Sequence, residues 1–109
     1  MLSVTFYRDS RKRLSRIVAE GHAGWADAGE DVVCAGASAV LQTAWLGLAQ
    51  HAGVAVTAER DAGRLDLRWP EAARDRDDVR AIVETARLAI EHLAEQFPAH
   101  VRAASARAD

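Results

Sequence analysis

One cysteine and one histidine stand out in this chain as residues whose types and spacing suit covalent chemistry. Cys34 is the single cysteine in the sequence, and His22 precedes it across a stretch that contains Gly24 and Gly29. A glycine-containing loop of this length allows the two side chains to meet, and a thiol within reach of an imidazole is the minimum that nucleophilic acyl transfer requires. The alternative from pattern alone is a structural cysteine that packs in the core.

The position of Cys34 relative to a predicted helix start favours the reactive interpretation. Asp31 is a suitable N-cap, since its carboxylate accepts hydrogen bonds from free N–H groups of a first turn. Cys34 would then lie in that first turn, where the positive end of the helix dipole favours a thiolate. The backbone N–H groups of Cys34 and Ala35 become candidates for an oxyanion hole.

The elements around this helix are predicted from hydrophobic periodicity. Leu2, Val4 and Phe6 alternate with polar residues as in a strand, and a second strand over residues 14–20 ends at Gly21. Apolar residues at helical spacing follow Asp31, and Gly53 is the predicted end of that segment. These apolar positions are Val33, Ala37, Val40, Leu41, Ala44, Trp45 and Leu48.

The second half of the chain repeats the order strand, strand, helix. A hairpin is predicted over residues 54–69, with its turn at residues 60–63, and an acidic start at residues 75–78 opens a last helix that stops before Pro98. We predict a single α+β domain over residues 1–109, in which two helices pack on an antiparallel sheet in the order ββαββα. The tail, residues 99–109, is expected to fray.

Composition restricts location and partners. A single cysteine forms no intrachain disulfide, the N-terminus lacks the pattern of a signal peptide, and no apolar run is judged long enough for a membrane span. We therefore expect a cytoplasmic protein. The net charge of −2 argues against direct nucleic-acid binding. The basic cluster of residues 8–16 is interpreted as a solvated hairpin in preference to a phosphate-binding patch.

Two short motifs carry a resemblance to a known family. Gly21-His22-Ala23 is followed, after a short loop, by Asp31-Val32-Val33-Cys34-Ala35 and then by Ser38. This pattern, with its spacing, resembles the ribosomal-processing cysteine protease family called Prp. The specific motif covers about a fifth of the chain, and the predicted element order extends the resemblance to nearly its whole length.

The resemblance implies roles for individual residues and a substrate. Cys34 is implied as the nucleophile and His22 as the general base, with Asp31 and Ser38 as supporting residues; Ser38 could equally hydrogen-bond its own helix. Residues 23–30 would act as a lid over an apolar groove. Lid and groove are assigned to Gly21, Ala23, Gly24, Trp25 and Gly29.

The same resemblance predicts the partners. The implied substrate is a ribosomal protein precursor of the large subunit, from which a short N-terminal extension is removed. The implied assembly is a homodimer, and no cofactor and no membrane are expected. Trp45 is a further candidate for the groove, although a core position fits it better.

Three alternatives remain at this stage. The first is a metal site, which is disfavoured because His22, His51, His92 and His100 lack close metal-ligand spacing. The second is a non-enzymatic ribosome-assembly or protein-interaction module with Cys34 in the core. The third is a small thiol hydrolase that acts on something other than a peptide.

Overall fold

A mixed five-stranded sheet with two helices on one face forms the molecule. This computed structural model describes residues 1–21 and 28–108, and of residues 28–31 it describes the helical backbone alone. The strands are β1 (Leu2–Arg8), β2 (Leu14–Glu20), β3 (Thr57–Asp61), β4 (Arg64–Arg68) and β5 (Val101–Arg107), and the helices are α1 (Ala28–Leu46) and α2 (Asp77–Gln96). A π-helical turn, Gly47–His51, continues α1, and a 3₁₀ turn, Glu71–Ala73, precedes α2. The α+β prediction is confirmed.

The sheet has the strand order β3-β4-β2-β1-β5. Neighbouring strands pair antiparallel except β1 and β5, which are parallel and in register from Leu2 opposite Val101 to Arg8 opposite Arg107. The prediction of a purely antiparallel sheet with a frayed tail over residues 99–109 is therefore wrong. Backbone hydrogen bonds to β1 hold β5 in place, so β5 needs few apolar side chains. Within β5, Val101 alone is fully buried.

Helix α1 starts earlier than its sequence predicts. It begins at Ala28, so Asp31 lies inside the helix and is not its N-cap, and residues 28–30 are helical although a loop is predicted there. The predicted end is confirmed, because Gly53 adopts a positive φ of 66° just after the π-helical turn. The predicted strand at residue 54 instead begins at Thr57, and buried Val54 lies in the connection before it.

Helix α1 and the turn after it contain a longer apolar segment than the sequence prediction allowed. The segment Val32–His51 is long and apolar enough to span a membrane, with a mean hydropathy of 1.6, although no span is expected from the sequence. Burial accounts for part of this character: 28% of the apolar window is buried, where one stripe of the helix enters the core. The buried residues of that stripe are Val33, Ala37, Leu41, Ala44 and Leu48.

One hydrophobic core lies between the sheet and the helices. Val4 and Phe6 of β1 and Leu67 of β4 are almost fully buried on the inner face, and α2 adds Val79, Val83, Ala86 and Ile90. Trp45 is partly buried and packs against this core, as expected. The alternation of β1 and the stripe of α2 are thus confirmed, and Phe97, at the end of the predicted stripe, is 39% exposed.

The basic cluster is part of the fold's ion-pair network. Arg13 is 12% exposed and pairs with Asp9, Glu71 and Asp75, while Arg8 pairs with Glu84. These contacts join the β1–β2 turn to the start of α2 and to its second turn. Arg8 and Arg13 therefore form ion pairs with carboxylates of the same chain.

The outer face of the sheet holds a buried carboxylate. Asp66 is 1% exposed, and it accepts hydrogen bonds from Arg16 at 2.7 Å and Arg68 at 3.2 Å. The hydrogen bonds from Arg16, supported by those from Arg68, hold the pKa of Asp66 well below its usual value, although burial acts in the opposite direction. Arg16 also lies 5.0 Å above the Tyr7 ring, so this cluster links three neighbouring strands.

Gly21 follows β2 directly and allows the chain to turn away from the sheet. Its φ of 85° is a conformation that L side chains rarely adopt, and its N–H donates to the carbonyl of Gly63 at 2.8 Å. A Cβ at this position would collide with the carbonyl oxygen of Met1. Glycine is therefore required where β2 turns away beside the β3–β4 hairpin.

Replacing Asp66 by asparagine should lower the free energy of unfolding by about 2 kcal/mol at neutral pH, because the arginines lose their buried partner. The pKa of Asp66 is lowered on folding, so its contribution is complete above the usual value of 3.8 and is lost as pH falls below it. Urea unfolding at several pH values measures both effects. Glu95→Gln, an exposed control, should change stability by less than about 0.5 kcal/mol. A difference between wild type and Asp66→Asn that persists undiminished at low pH would contradict this.

Gly21→Ala should cost about 2 kcal/mol of stability, through the strained φ and the collision with Met1 together. Gly53→Ala is the matched control: its φ is also positive, but an added Cβ meets nothing within 4 Å. The control should therefore cost only about 1 kcal/mol. Thermal and urea unfolding compare the two, and equal losses would show that the contact with Met1 is unimportant.

Candidate active site

A cleft of about 340 Å³ contains the cysteine singled out by the sequence. Three parts of the fold meet there: the end of the sheet where β1 begins and β2 ends, one face of α1, and the β3–β4 hairpin. Pairing of β2 with β4 brings the hairpin beside the strand end. The cleft is lined by Leu2, Ala19, Gly21, Cys34, Ser38, Leu41, Gln42, Arg60, Asp61, Gly63, Arg64 and Leu65.

Cys34 lies at the border between core and cleft. Its side chain is a free thiol of intermediate burial, packs against the hydrophobic core on one side and lines the cleft on the other. Ser38 and Gln42 follow on the same helix at intervals of four residues, which places all three on one face of α1. The helix therefore presents a line of sulfur, hydroxyl and amide to the cleft.

The helix start changes the basis for one predicted feature. With α1 beginning at Ala28, Cys34 is beyond the first turn, and the N–H groups of Cys34 and Ala35 are helix-interior donors to carbonyls four residues earlier. They are not free N–H groups at a helix start. The oxyanion hole assigned to them from sequence thus loses its structural basis, because only the first four N–H groups of a helix lack partners.

A side-chain hydrogen bond organises the cleft wall below Cys34. The amide Nε2 of Gln42 donates to Oγ of Ser38 at 2.8 Å. Ser38 is a predicted supporting residue, and its hydroxyl is engaged with Gln42 rather than with its own helix backbone. Sequence reasoning missed Gln42, although its spacing of eight residues from Cys34 on a predicted helix was a usable signal.

The remaining walls of the cleft combine apolar and charged groups. Leu2, Ala19, Leu41 and Leu65 supply an apolar lining, whereas Arg60, Asp61 and Arg64 stand on the hairpin side. Arg64 makes long contacts of 3.5 Å with Glu20 and Asp66. The sequence did not point to these hairpin residues, because only the order of strands in the sheet brings them to the helix.

Several predicted site residues lie outside the described residues. These are His22, Ala23, Gly24 and Trp25. Gly29 and Asp31 belong to the helical backbone of α1, and the structure describes nothing of the Asp31 side chain. Of the predicted constellation, the described part of the chain brings Gly21, Cys34 and Ser38 together in one cleft.

The other histidines stand apart from this cleft. His51 and His92 are exposed, at the end of the π-helical turn and in α2, and His100 directly precedes β5. Among residues 1–21 and 32–108, whose side chains the structure describes, no group of three His, Cys, Asp or Glu side chains is arranged to hold a metal ion.

Solved structures with the same fold come from streptococci and staphylococci. The protein SMU.848 of Streptococcus mutans is 27% identical, with a TM-score of 0.88 over 98% of this chain and 95% of that one. The ribosomal processing protease Prp of S. aureus with a substrate peptide is 22% identical, with a TM-score of 0.78 over 97% of this chain and 100% of that one. The same protease with a covalently linked product peptide is 23% identical, with a TM-score of 0.76 over the same shares.

Comparisons by sequence give the family. No curated protein matches the chain. The family described as cysteine protease Prp, however, matches residues 1–102, which is almost the entire length. This match agrees with a cleft built around the single cysteine and with the fold of the solved structures. The chain therefore belongs to the cysteine protease Prp family.

Proposed function

We propose that this cysteine protease removes a short N-terminal extension from a large-subunit ribosomal protein, with Cys34 as nucleophile and His22 as general base and acid. The observation that carries the proposal is the cleft that Cys34 lines together with Gly21, the residue joined directly to His22 in the chain. A partly exposed thiol in a cleft of about 340 Å³ suits attack on a bound peptide.

The proposed acylation step uses only groups of the chain and substrate. His22 accepts the Cys34 proton, the sulfur attacks the peptide carbonyl carbon, and the carbonyl π electrons move onto oxygen as an oxyanion. When that oxyanion collapses, the C–N bond breaks, and the leaving amine takes the proton from His22. The products are a thioester on Cys34 and the released C-terminal fragment with a free amine.

Deacylation requires water as its only further reactant. His22 accepts a proton from water as the water oxygen attacks the thioester carbonyl, which again gives an oxyanion. Collapse breaks the C–S bond, and the sulfur leaves as a thiolate that recovers its proton from His22. The extension leaves as a carboxylic acid, and the enzyme returns to its starting state.

The lining of the cleft supports a peptide with an apolar segment as substrate. Leu2, Leu41 and Leu65 offer apolar contacts beside Cys34, which fits the apolar groove that the family resemblance implies. The S. aureus protease of the same fold is described as a ribosomal processing enzyme and binds peptide. The non-enzymatic alternative is set aside by family membership.

We also propose that the protein works as a homodimer in the cytoplasm. An apolar groove of about 600 Å³ runs between α1 and α2, and its small residues would let a second copy of this chain approach closely. The lining of this groove is mostly apolar, which suits contact with another protein surface. The groove lining includes Ala39, Val40, Gly47, Ala81, Ile82 and Ala89.

Cys34→Ala should abolish cleavage of a peptide that carries the N-terminal extension of the host's ribosomal protein, with a loss of roughly a thousand-fold or more. Mass spectrometry identifies the fragments and the cut. His22→Ala should also slow alkylation of Cys34 by iodoacetamide, because the thiol loses its base. Circular dichroism controls for folding of both variants. Persistent cutting by folded Cys34→Ala would refute the assignment.

Ala81→Glu should convert the proposed dimer into monomers, since it places a charge in the groove between α1 and α2. Sedimentation velocity at several concentrations measures the change. Ala72→Glu, at an exposed position of the 3₁₀ turn outside the groove, is the matched control and should remain dimeric. A monomeric wild type, or an Ala81→Glu variant that stays dimeric, would rule out this interface.

A further inference from the structure

The hydrogen bond between Gln42 and Ser38 leaves the Ser38 hydrogen free to be donated elsewhere. The Gln42 amide is the donor at 2.8 Å, so Ser38 Oγ is the acceptor in that contact. A serine hydroxyl has one hydrogen of its own to donate. Among residues 1–21 and 32–108, whose side chains the structure describes, no acceptor receives this hydrogen, and Ser38 lines the cleft. The hydroxyl is therefore available to a group that enters the cleft.

The arrangement on α1 aims that hydroxyl toward the sulfur's side of the cleft. Side chains on a helix lean toward its N-terminus, so Gln42 leans toward Ser38, and Ser38 leans toward Cys34 one turn earlier. Residues four apart on a helix have Cβ atoms roughly 5–6 Å from each other. If a substrate carbonyl carbon is bonded to the Cys34 sulfur, its oxygen would therefore lie between Cys34 and Ser38.

The starting point of α1 removes two backbone groups from the candidate oxyanion donors. The backbone N–H groups of Cys34 and Ala35 serve intrahelical bonds, so they cannot receive a developing oxyanion without breaking the helix. A pre-oriented side-chain hydroxyl does so without rearrangement, and removal of one such donor typically lowers a rate by about a hundred-fold.

We propose that Gln42 is a positioning residue that orients the Ser38 hydroxyl, and that this hydroxyl donates a hydrogen bond to the oxyanion formed when Cys34 attacks a carbonyl. The inference rests on the proposed nucleophile but not on the ribosomal substrate. Without the Gln42 donor, the hydroxyl is free to turn back and bond the carbonyl four residues earlier, as helical serines often do.

Two thiol reactions separate this role from others. Acylation of Cys34 by p-nitrophenyl acetate passes through an oxyanion, whereas alkylation by iodoacetamide displaces iodide and forms none. The acylation burst and the alkylation rate are measured on the full chain, with Cys34→Ala as the blank. The ratio of the two rates cancels changes in thiolate content, and neither reagent depends on the identity of the peptide substrate.

The variants differ in what they offer to Ser38. Ser38→Ala removes the donor. Gln42→Glu supplies a carboxylate that accepts the hydrogen bond of the Ser38 hydroxyl and so turns it away from the oxyanion. Both variants should lower the ratio of acylation rate to alkylation rate about ten-fold or more. Gln42→Met, which offers neither, should lower it by less, and Gln42→Lys, a donor, should retain it. Thr43→Val is the matched control, because Thr43 Oγ1 donates to the Ala39 carbonyl at 2.7 Å and lies outside the cleft lining. Since Thr43 lines the groove between α1 and α2, sedimentation velocity checks that this variant keeps the wild-type assembly.

The outcomes decide the proposal. A low ratio for Ser38→Ala and Gln42→Glu, with a wild-type ratio for Gln42→Lys and Thr43→Val, supports it. An unchanged ratio in Gln42→Glu overturns it, as does a parallel fall of both rates, which would place the effect on the thiolate or on the fold. Failure of the wild type to cut the ribosomal peptide would refute the proposed substrate and leave this ratio unaffected.

Discussion

Burial of one stripe of α1 against the sheet determines where Cys34 faces. The stripe from Val33 to Leu48 enters the core, and each fully buried Val or Leu contributes about 1.5–3 kcal/mol through removal of apolar surface from water. Because rotation of α1 would expose this stripe to water, the orientation of the neighbouring helix face is fixed as well. That face carries Cys34, Ser38 and Gln42, which explains how reactive groups keep a constant orientation beside a packed core.

The second wall of the cleft depends on the sheet rather than on the helix. β4 pairs with β2, and the Asp66 cluster with Arg16 and Arg68 strengthens that pairing on the outer face. The same pairing holds the Gly63 carbonyl against the Gly21 N–H at the strand end. Hairpin, strand end and helix are thus connected, and a substrate would enter a site whose two sides are stabilised by separate interactions.

Periodicity was sufficient for most of the fold and for part of the site. Leu2, Val4 and Phe6 alternate because one face of β1 is buried, and the spacing of α2 follows its core stripe. Residues 101–107 escaped prediction because an edge strand held by backbone bonds needs no apolar pattern. The sequence prediction started α1 at Asp31, although Asp27 directly before Ala28, with Glu30 three residues later, is an equally suitable start signal. The contribution of Arg60 and Arg64 to the cleft is a long-range consequence of strand order.

The central claim is that peptide carbonyls react with Cys34 inside this cleft. The most direct test is a crystal structure of the protein after reaction with a peptide aldehyde whose residues are those of the ribosomal extension. The account predicts a bond between Cys34 Sγ and the aldehyde carbon, peptide side chains against Leu41 and Leu65, and the hemithioacetal oxygen within hydrogen-bond distance of Ser38 Oγ. A peptide bound elsewhere, or an unmodified Cys34, would contradict it.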